Sequence, residues 1–561
     1  MSQRDLIQIA LFVGTVFVVT PLMGRYMAAV FAGERISART LLGGVEKVIY
    51  LLAGVDPRRE MGWGRYFGAV LAFSLFGVLA VVGIQMTQQF LPLNPQKLPN
   101  VPFPLAFNMA VSFVTNANSS AYAGEPAMSY GTQILAICVQ RFVSAATGMA
   151  VAMAFIRGLV RRSSGTVGNF WADLTRAILY ILLPLSLVFA VVLVGQGVVQ
   201  SFAPYREATT LEGARQVIPL GPAASQVAIE VLGTSGGGPF GQNSAHPSEN
   251  PTPFSNFLQM VAILSIPAGL TYTFGCMAGN RRQGWVLFGA MLFLFLAGLA
   301  VAGLAETATN AATGLTASME GKETRFGVMN SVLFANVATG ASCGAANAVH
   351  DSFSPLAGMV AMINMMLGGV MFGGVGAGLY GILVFAILAV FIAGLLVGRT
   401  PEYLGKKIEA RDIACAVAAV IAPTAAILAG TALACVAGAS NSIHPGPHGF
   451  SEILYSWTAA VANNGSESAG GNPNANLHHF LAASAMGVGR FAVIAAVLAL
   501  GGNLGGKRAA QPSAATFPTD RFTFAALLVG VVLIVGALAC FPALSLGPLA
   551  EHLLARAGRI F

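Results

Sequence analysis

Long apolar runs alternate along this chain with short, uncharged clusters of Gly, Ser, Thr and Asn. Runs near the ~20 residues needed to cross a bilayer fall at about 7–30, 66–90, 131–156, 177–200, 254–278, 284–305, 379–398, 413–437, 479–501 and 522–543. A further, interrupted run lies at about 352–370. Counting it with 379–398 gives ten spans; counting it apart gives eleven. Four loops carry shorter semi-apolar stretches at about 104–114, 222–232, 327–338 and 450–461. At about 11 residues each is too short to cross, so each predicts a re-entrant half-helix.

Each of these stretches runs into a polar cluster. The clusters are Thr115-Asn116-Ala117-Asn118, Gly233-Thr234-Ser235-Gly236-Gly237-Gly238, Thr339-Gly340-Ala341-Ser342-Cys343-Gly344 and Asn463-Asn464-Gly465-Ser466. They recur roughly every 105–125 residues, longer than the period of soluble solenoids. The repeating unit reads span, half-helix, polar loop, span. The expected fold is an all-α polytopic membrane protein with four pseudo-symmetric span–pore-loop–span repeats. Its expected divisions are 1–62 (first transmembrane helix and a cytoplasmic amphipathic helix around 41–54), then repeats at 63–162, 163–280, 281–405 and 406–505, then a last transmembrane helix in 506–561.

Composition agrees. Of 561 residues, 55% are hydrophobic and 9% charged, against about 25% charged in soluble domains. The net charge of +8 would suit nucleic acid, but its distribution does not. Twenty of the thirty Lys and Arg fall in alternate loops: 25–65, 157–176, 281–282, 399–411 and 507–521. The positive-inside rule makes those loops cytoplasmic and puts both termini and all four clusters outside. A phosphate-binding surface would need one contiguous basic patch, so no nucleic-acid partner is expected; membrane lipids are. The six cysteines form no C-x-x-C pair and imply no disulfide framework.

A half-helix entering from outside aims its C-terminal end at the membrane centre. Its free carbonyls and dipole place partial negative charge there. Four such ends around one axis make a cation site without a carboxylate. Neutral Asn, Thr and Ser oxygens with backbone carbonyls suit a weakly hydrated monovalent ion better than Ca²⁺ or Mg²⁺. The third unit differs. Its second span breaks at Gly368, Gly369, Gly373, Gly374, Gly376 and Gly378, too many glycines for a helix. The break reads either as a gate beneath the pore or as a cytoplasmic turn. Arg141 and Arg490 stand inside predicted spans, where a charge is a functional hypothesis by default, with Arg399 just beyond the break. Positive charge beneath a cation filter would oppose leakage. No carboxylate appears in a matching span, so carbonyls freed by the glycine break are the expected partners.

Other motifs compete. Gly340-Ala341-Ser342-Cys343-Gly344, followed by His350 and Asp351, imitates a G-x-S-x-G hydrolase, which needs a strand-to-helix turn rather than an apolar half-helix. Gly501 to Lys507 has the spacing of a phosphate loop, but Arg508 stands where Ser or Thr is required. No Asp-Lys-Thr-Gly phosphorylation sequence is present. His444, His448, His478 and His479 flank the fourth cluster; a metal site there is open, although no H-E-x-x-H spacing occurs.

Taken together, these stretches resemble a known family. The carrying motifs are Leu232 to Gly238, Asn243-Ser244-Ala245-His246-Pro247 with Glu249-Asn250-Pro251-Thr252, Ala341 to Gly344, Val349 to Phe353, Gly373 to Gly376 with Gly378 to Gly381, Gly398 to Ile408, and Ala462 to Ser466. The chain is similar over essentially its whole length to the potassium-binding A subunits of bacterial Kdp ATP-driven potassium pumps, members of the potassium-transporter superfamily. It departs from them at Ser119 and Ser120, where Trp and Gln are usual, and at Ser235, where Asn is usual. The resemblance implies ten transmembrane helices, so the interrupted run is one broken helix. It implies K⁺ as the transported substrate, with no nucleotide or transition metal on this chain. The filter would comprise Thr115, Asn116, Ala117, Asn118, Gly233, Thr234, Ser235, Gly236, Ser342, Cys343, Gly344, Asn463, Asn464 and Gly465, with Asn116 facing the ion. Asn116, Thr234, Cys343 and Asn464 would occupy matching points. An intramembrane tunnel would lead to a P-type ATPase subunit (KdpB), with a small KdpC and a single-span KdpF completing a complex in the bacterial inner membrane. A stand-alone K⁺ channel or secondary transporter of the same superfamily is the alternative reading.

Overall fold

A computed structural model describes residues 2–559 other than 35–36, 120, 122, 310–313, 315, 368, 399, 438–443, 467–475 and 509–516. Three residues named from sequence, Ser120, Gly368 and Arg399, therefore lie outside the described residues.

Among the described residues, ten helical segments are long and apolar enough to cross a bilayer. The first opens with Gln3–Ala32. The next are Trp63–Met86, Tyr130–Val160, Phe170–Gly195, Pro253–Met277, Arg281–Thr307 and Ala377–Val397. Ala410–Ala437, Asn476–Gly505 and the segment beginning Phe522–Leu544 complete the set. Outward positions on these helices are large and apolar. Leu187, Val191, Leu396 and Leu538 are exposed, as a helix facing hydrocarbon requires. The interrupted run resolves as Pro355–Met366, too short to cross, then a non-helical stretch, then Ala377–Val397. It reads as one broken helix, which gives ten spans among the described residues.

Four short helices fill the predicted half-helix positions: Phe103–Thr115, Ala223–Leu232, Gly327–Gly340 and Gly446–Val461. The span–half-helix–loop–span unit thus occurs four times.

Close backbone crossings set the arrangement of the spans. A side chain on Gly24 would meet the Gly269 carbonyl oxygen at 2.7 Å, and Thr273 Oγ1 donates to the Gly24 carbonyl at 3.1 Å, locking the first helix onto Pro253–Met277. Gly158 meets Gly501 in the same way, with only 2.7 Å between its absent Cβ and the Gly501 Cα. Small residues at such crossings replace the hydrophobic drive that is missing inside lipid. Against this second crossing sits a two-stranded hairpin, Glu402–Tyr403 with Lys406–Lys407. The buried Lys406 ammonium donates to the carbonyls of Gly158 at 2.8 Å, Leu504 at 2.9 Å and Arg161. One lysine thereby satisfies the C-terminal carbonyls of two spans, where helix dipoles favour a cation.

The amphipathic segment is a helix, Ser37–Ala53. Its Glu46 is buried, accepting from Tyr180 Oη at 2.7 Å and pairing with Arg176 at 3.2 Å, while Leu41, Leu51 and Leu52 are exposed. The polar face holds the helix to the protein and the apolar face points away, as in an interfacial helix. All six cysteines are free.

Candidate functional site

The four half-helices end in the same turn. Each closes with a backbone N–H reaching back five residues: Ala117 to Ser112 at 2.9 Å, Ser235 to Glu230 at 2.8 Å, Cys343 to Ala338 at 2.8 Å and Asn464 to Ala459 at 2.9 Å. The residue before each donor has positive φ: Asn116 at 66°, Thr234 at 47°, Ser342 at 47° and Asn463 at 53°. Left-handed backbone at four non-glycine residues is uncommon, and strain of this kind gathers at functional sites. The turn fixes the register. Asn116, Thr234, Ser342 and Asn463 are equivalent, and Ala117, Ser235, Cys343 and Asn464 follow. The expected match of Asn116 and Thr234 with Cys343 and Asn464 is therefore one residue out. Choosing polar residues by type missed that the turn, not the side chain, sets position.

The loops close into a ring. Asn116 Nδ2 on the first loop donates to the carbonyls of Gly233 at 3.3 Å and Thr234 at 3.1 Å on the second. Cys343 Sγ on the third donates to the Ser235 carbonyl at 2.6 Å. Asn464 Nδ2 on the fourth donates to the Cys343 carbonyl on the third at 3.0 Å. Glycines complete the contacts. A Cβ on Gly236 would lie 2.5 Å from the Gly344 Cα, one on Gly344 would strike the Asn464 carbonyl, and one on Gly465 would strike that of Ala117. Backbone of neighbouring loops therefore meets backbone at these glycines.

The fourth equivalent of those glycines is Asn118. It is fully buried, and neither its Nδ2 nor its Oδ1 has a hydrogen-bond partner among the described residues. Buried polar atoms normally find partners, so this amide is available to a ligand. Asn116 behaves otherwise. Its Oδ1 accepts from Ser144 Oγ at 2.8 Å while its Nδ2 braces the second loop, so its side chain is engaged in holding the ring rather than free to face the ion. Thr115 is likewise turned back, donating to the Val111 carbonyl at 2.8 Å.

The third and fourth loops are supported from behind. Asn464 Oδ1 accepts from the Ser466 N–H at 3.0 Å and from its hydroxyl. Ser466 Oγ lies 2.7 Å from Tyr455 Oη, which lies 2.6 Å from His350 Nδ1. Burial pushes His350 down to about 4, so the ring is neutral. That chain occupies His350 elsewhere than Ser342, and Ser342 follows an α-helix, so the hydrolase geometry is not formed. Gly501–Gly505 is helix, not a phosphate-binding turn.

The glycine-rich break lies directly against the ring. Val375 N–H donates to Thr234 Oγ1 at 2.9 Å, and Gly373 N–H to the Gly340 carbonyl at 2.9 Å. Gly376 adopts a φ of 89° and abuts the Gly148 carbonyl with no room for a side chain. Beside these contacts lies a cavity of about 60 Å³, lined by Asn116, Ser342, Asn463, Gly369, Gly374 and Arg490. A second, mostly apolar cavity shares Met366, Tyr380, Pro423 and Val493 with it and continues to Val497, Val535 and Gly536.

The two intramembrane arginines are not equivalent. Arg490 lines the cavity beside the ring, and its Nη2 donates to the Ser144 carbonyl at 3.0 Å. Its partner is thus a span carbonyl, not one from the glycine break. Arg141 is elsewhere. It lies behind the second loop, donating to the carbonyls of Gly236 at 3.1 Å and Gly237. Its carboxylate partner is Glu230 at 3.4 Å, with both side chains fully buried. The expectation of no carboxylate partner is wrong here because Glu230 sits on a half-helix rather than a span. A lone acid in the apolar stretch 223–232 was the available signal.

Comparison with known proteins follows the geometry. A family model described as potassium-transporting ATPase A subunit matches residues 10–553. A potassium-transporting ATPase potassium-binding subunit from Rhodospirillum centenum is 54% identical, covering 100% of this chain and 99% of that protein. One from Brucella anthropi is 52% identical across 100% of both chains. Among solved structures, the potassium transporter TrkH from Vibrio parahaemolyticus is similar with a TM-score of 0.55, over 88% of this chain and 98% of its own, at 13% identity. That last likeness is one of fold.

Proposed function

The chain belongs to the potassium-transporting ATPase A subunit family, the potassium-binding, non-catalytic subunit of that pump, and on this premise we propose how it captures and forwards the ion. K⁺ sheds water at the ring of four loops, where backbone carbonyls, backed by the C-terminal ends of four half-helices, replace its hydration shell. Asn118, with its unengaged amide, adds a side-chain ligand on one side of an otherwise glycine-lined constriction. Asn116, Cys343 and Asn464 act by bracing neighbouring loops, which fixes the size of the opening.

Below the ring, the glycine loop and Arg490 form the barrier to the cytoplasm. Positive charge at that point repels a cation that would otherwise continue straight down. The adjoining cavities between Tyr380, Pro423 and Val497 offer a sideways route within the membrane toward a P-type ATPase subunit of the KdpB kind, with KdpC and KdpF-like chains as further partners. The basic loops lie in the cytoplasm of a bacterial inner membrane, and both termini lie outside. The divisions 63–162, 163–280, 281–405 and 406–505 mark the four repeats.

The convergence of four equivalent turns on one glycine-lined ring carries this reading. It is tested by co-purifying the chain with its ATPase partners and measuring ATP hydrolysis against K⁺ and Na⁺. Stimulation by K⁺ and not by Na⁺ is expected. Hydrolysis indifferent to K⁺ overturns the proposal.

A further inference from the structure

Along the N-terminal half of the fourth half-helix, on the far side of the His350–Tyr455–Ser466 chain from Asn464, two histidines and two carboxylates converge. They are Asp351, His444, His448 and Glu452, and their ligand atoms all lie within 4.8 Å of one another. We propose that these four residues bind a divalent transition-metal ion of the zinc class. Two imidazole nitrogens with two carboxylate oxygens match Zn²⁺, whereas Ca²⁺ and Mg²⁺ prefer oxygen alone.

The sequence prepares this grouping. His444, His448 and Glu452 recur at intervals of four, which aligns them along one face of the helix and its N-terminal approach. Asp351 arrives from the loop after the third filter segment. His444 Nδ1 lies 2.7 Å from Glu452 Oε1. Tetrahedral bonds of about 2.0–2.1 Å give ligand–ligand edges of about 3.3 Å, so small side-chain rotations close the cluster around an ion.

A second observation points the same way. His448 Nδ1 lies 2.8 Å from Glu551 Oε1 on the last helical segment, and Ser451 Oγ holds the other Glu551 oxygen at 3.1 Å. That contact turns His448 Nε2 into the cluster, 3.6 Å from Asp351 Oδ1 and 3.9 Å from Glu452 Oε1. A carboxylate behind a histidine whose far nitrogen faces other ligands is the arrangement that orients metal-binding imidazoles. The rival occupant is a proton: an imidazolium of His448 between these acids would satisfy the same contacts.

The two are separated by titration. The chain, co-purified with its ATPase partners and stripped with EDTA, is titrated with Zn²⁺ against a chromophoric chelator, and X-ray absorption is recorded on the loaded sample. One Zn²⁺ per chain is expected, with nitrogen and oxygen ligands that include two imidazoles. H448A and D351N should each weaken binding by about ten-fold or more. K⁺-stimulated hydrolysis, measured with Mg²⁺ in excess over EDTA so that zinc alone stays chelated, checks that the variants assemble. If H448A does not assemble, H444A, at a more exposed side chain, carries the same expectation. Absence of stoichiometric binding, sulfur ligation, or equal affinity in the D351N and H444A variants overturns the proposal.

Discussion

Gly465 faces Ala117 so closely that a single methyl group on its α-carbon would collide with the Ala117 carbonyl oxygen. The fourth and first loops meet at this backbone contact, while side-chain hydrogen bonds join the first loop to the second, the third to the second and the fourth to the third. Gly465→Asp adds bulk at a φ of 77° and a charge beside the ring. The half-saturating K⁺ concentration for ATP hydrolysis should rise at least about ten-fold, a change of about 1.4 kcal/mol, with discrimination against Na⁺ reduced. Gly465→Ala separates shape from charge and should show the larger part of the loss. Unchanged K⁺ affinity and selectivity in Gly465→Asp would remove this seam from the ion path.

The proposed barrier consists of Arg490 and the glycine loop. Deleting residues 373–376 removes the amides that reach Gly340 and Thr234, and Arg490→Gln removes the charge. Each change should turn reconstituted vesicles from tight to leaky for K⁺, read as passive efflux without ATP. Vesicles as tight as the parent in both variants would place the barrier elsewhere.

The Arg141–Glu230 pair predicts a pattern in stability. Arg141→Met strands a buried carboxylate and should destabilise the chain by about 3–5 kcal/mol. Adding Glu230→Leu should recover much of that loss. K⁺ affinity should stay impaired in both, because the Gly236 and Gly237 carbonyls lose their donor either way. Thermal unfolding in detergent, set beside K⁺ titrations, distinguishes a stability effect from a filter effect. Equal unfolding temperatures for single and double variants would contradict the pairing.

The chain alone should bind K⁺ and hydrolyse no ATP, since it carries no phosphorylation sequence. Isothermal titration with K⁺ and a phosphate-release assay on the isolated chain test both halves. Phosphate release from the chain free of any ATPase subunit would refute the division of labour.

Much of this was legible in the sequence, for physical reasons that differ between elements. The half-helix positions could be read because apolar stretches too short to cross, ending in small polar residues, leave few alternatives at membrane depth. Phe103–Thr115 and Ala223–Leu232 begin and end within a residue or two of expectation. The register of the ring could not be read from residue type, because a turn that places Ser342 and Asn463 in left-handed backbone leaves no compositional mark. Nor could the partner of Arg141, since Glu230 is 89 positions further along and the contact exists only once the second half-helix packs behind its own loop. The glycine break was visible as a break, but its bond to Thr234 spans 141 positions and depends on how the third repeat folds across the second.

That Thr234–Val375 bond joins the proposed site of capture to the proposed site of closure through one hydroxyl. Free-energy coupling between two sites is reciprocal. If an ion at the inner end of the ring favours one setting of the glycine loop, the loop in that setting must tighten or loosen its hold on the ion by the same factor. Occupancy and closure then form a single thermodynamic cycle. A partner that moves the loop from the cytoplasmic side would thereby tune affinity on the opposite face of the membrane, without touching the ion.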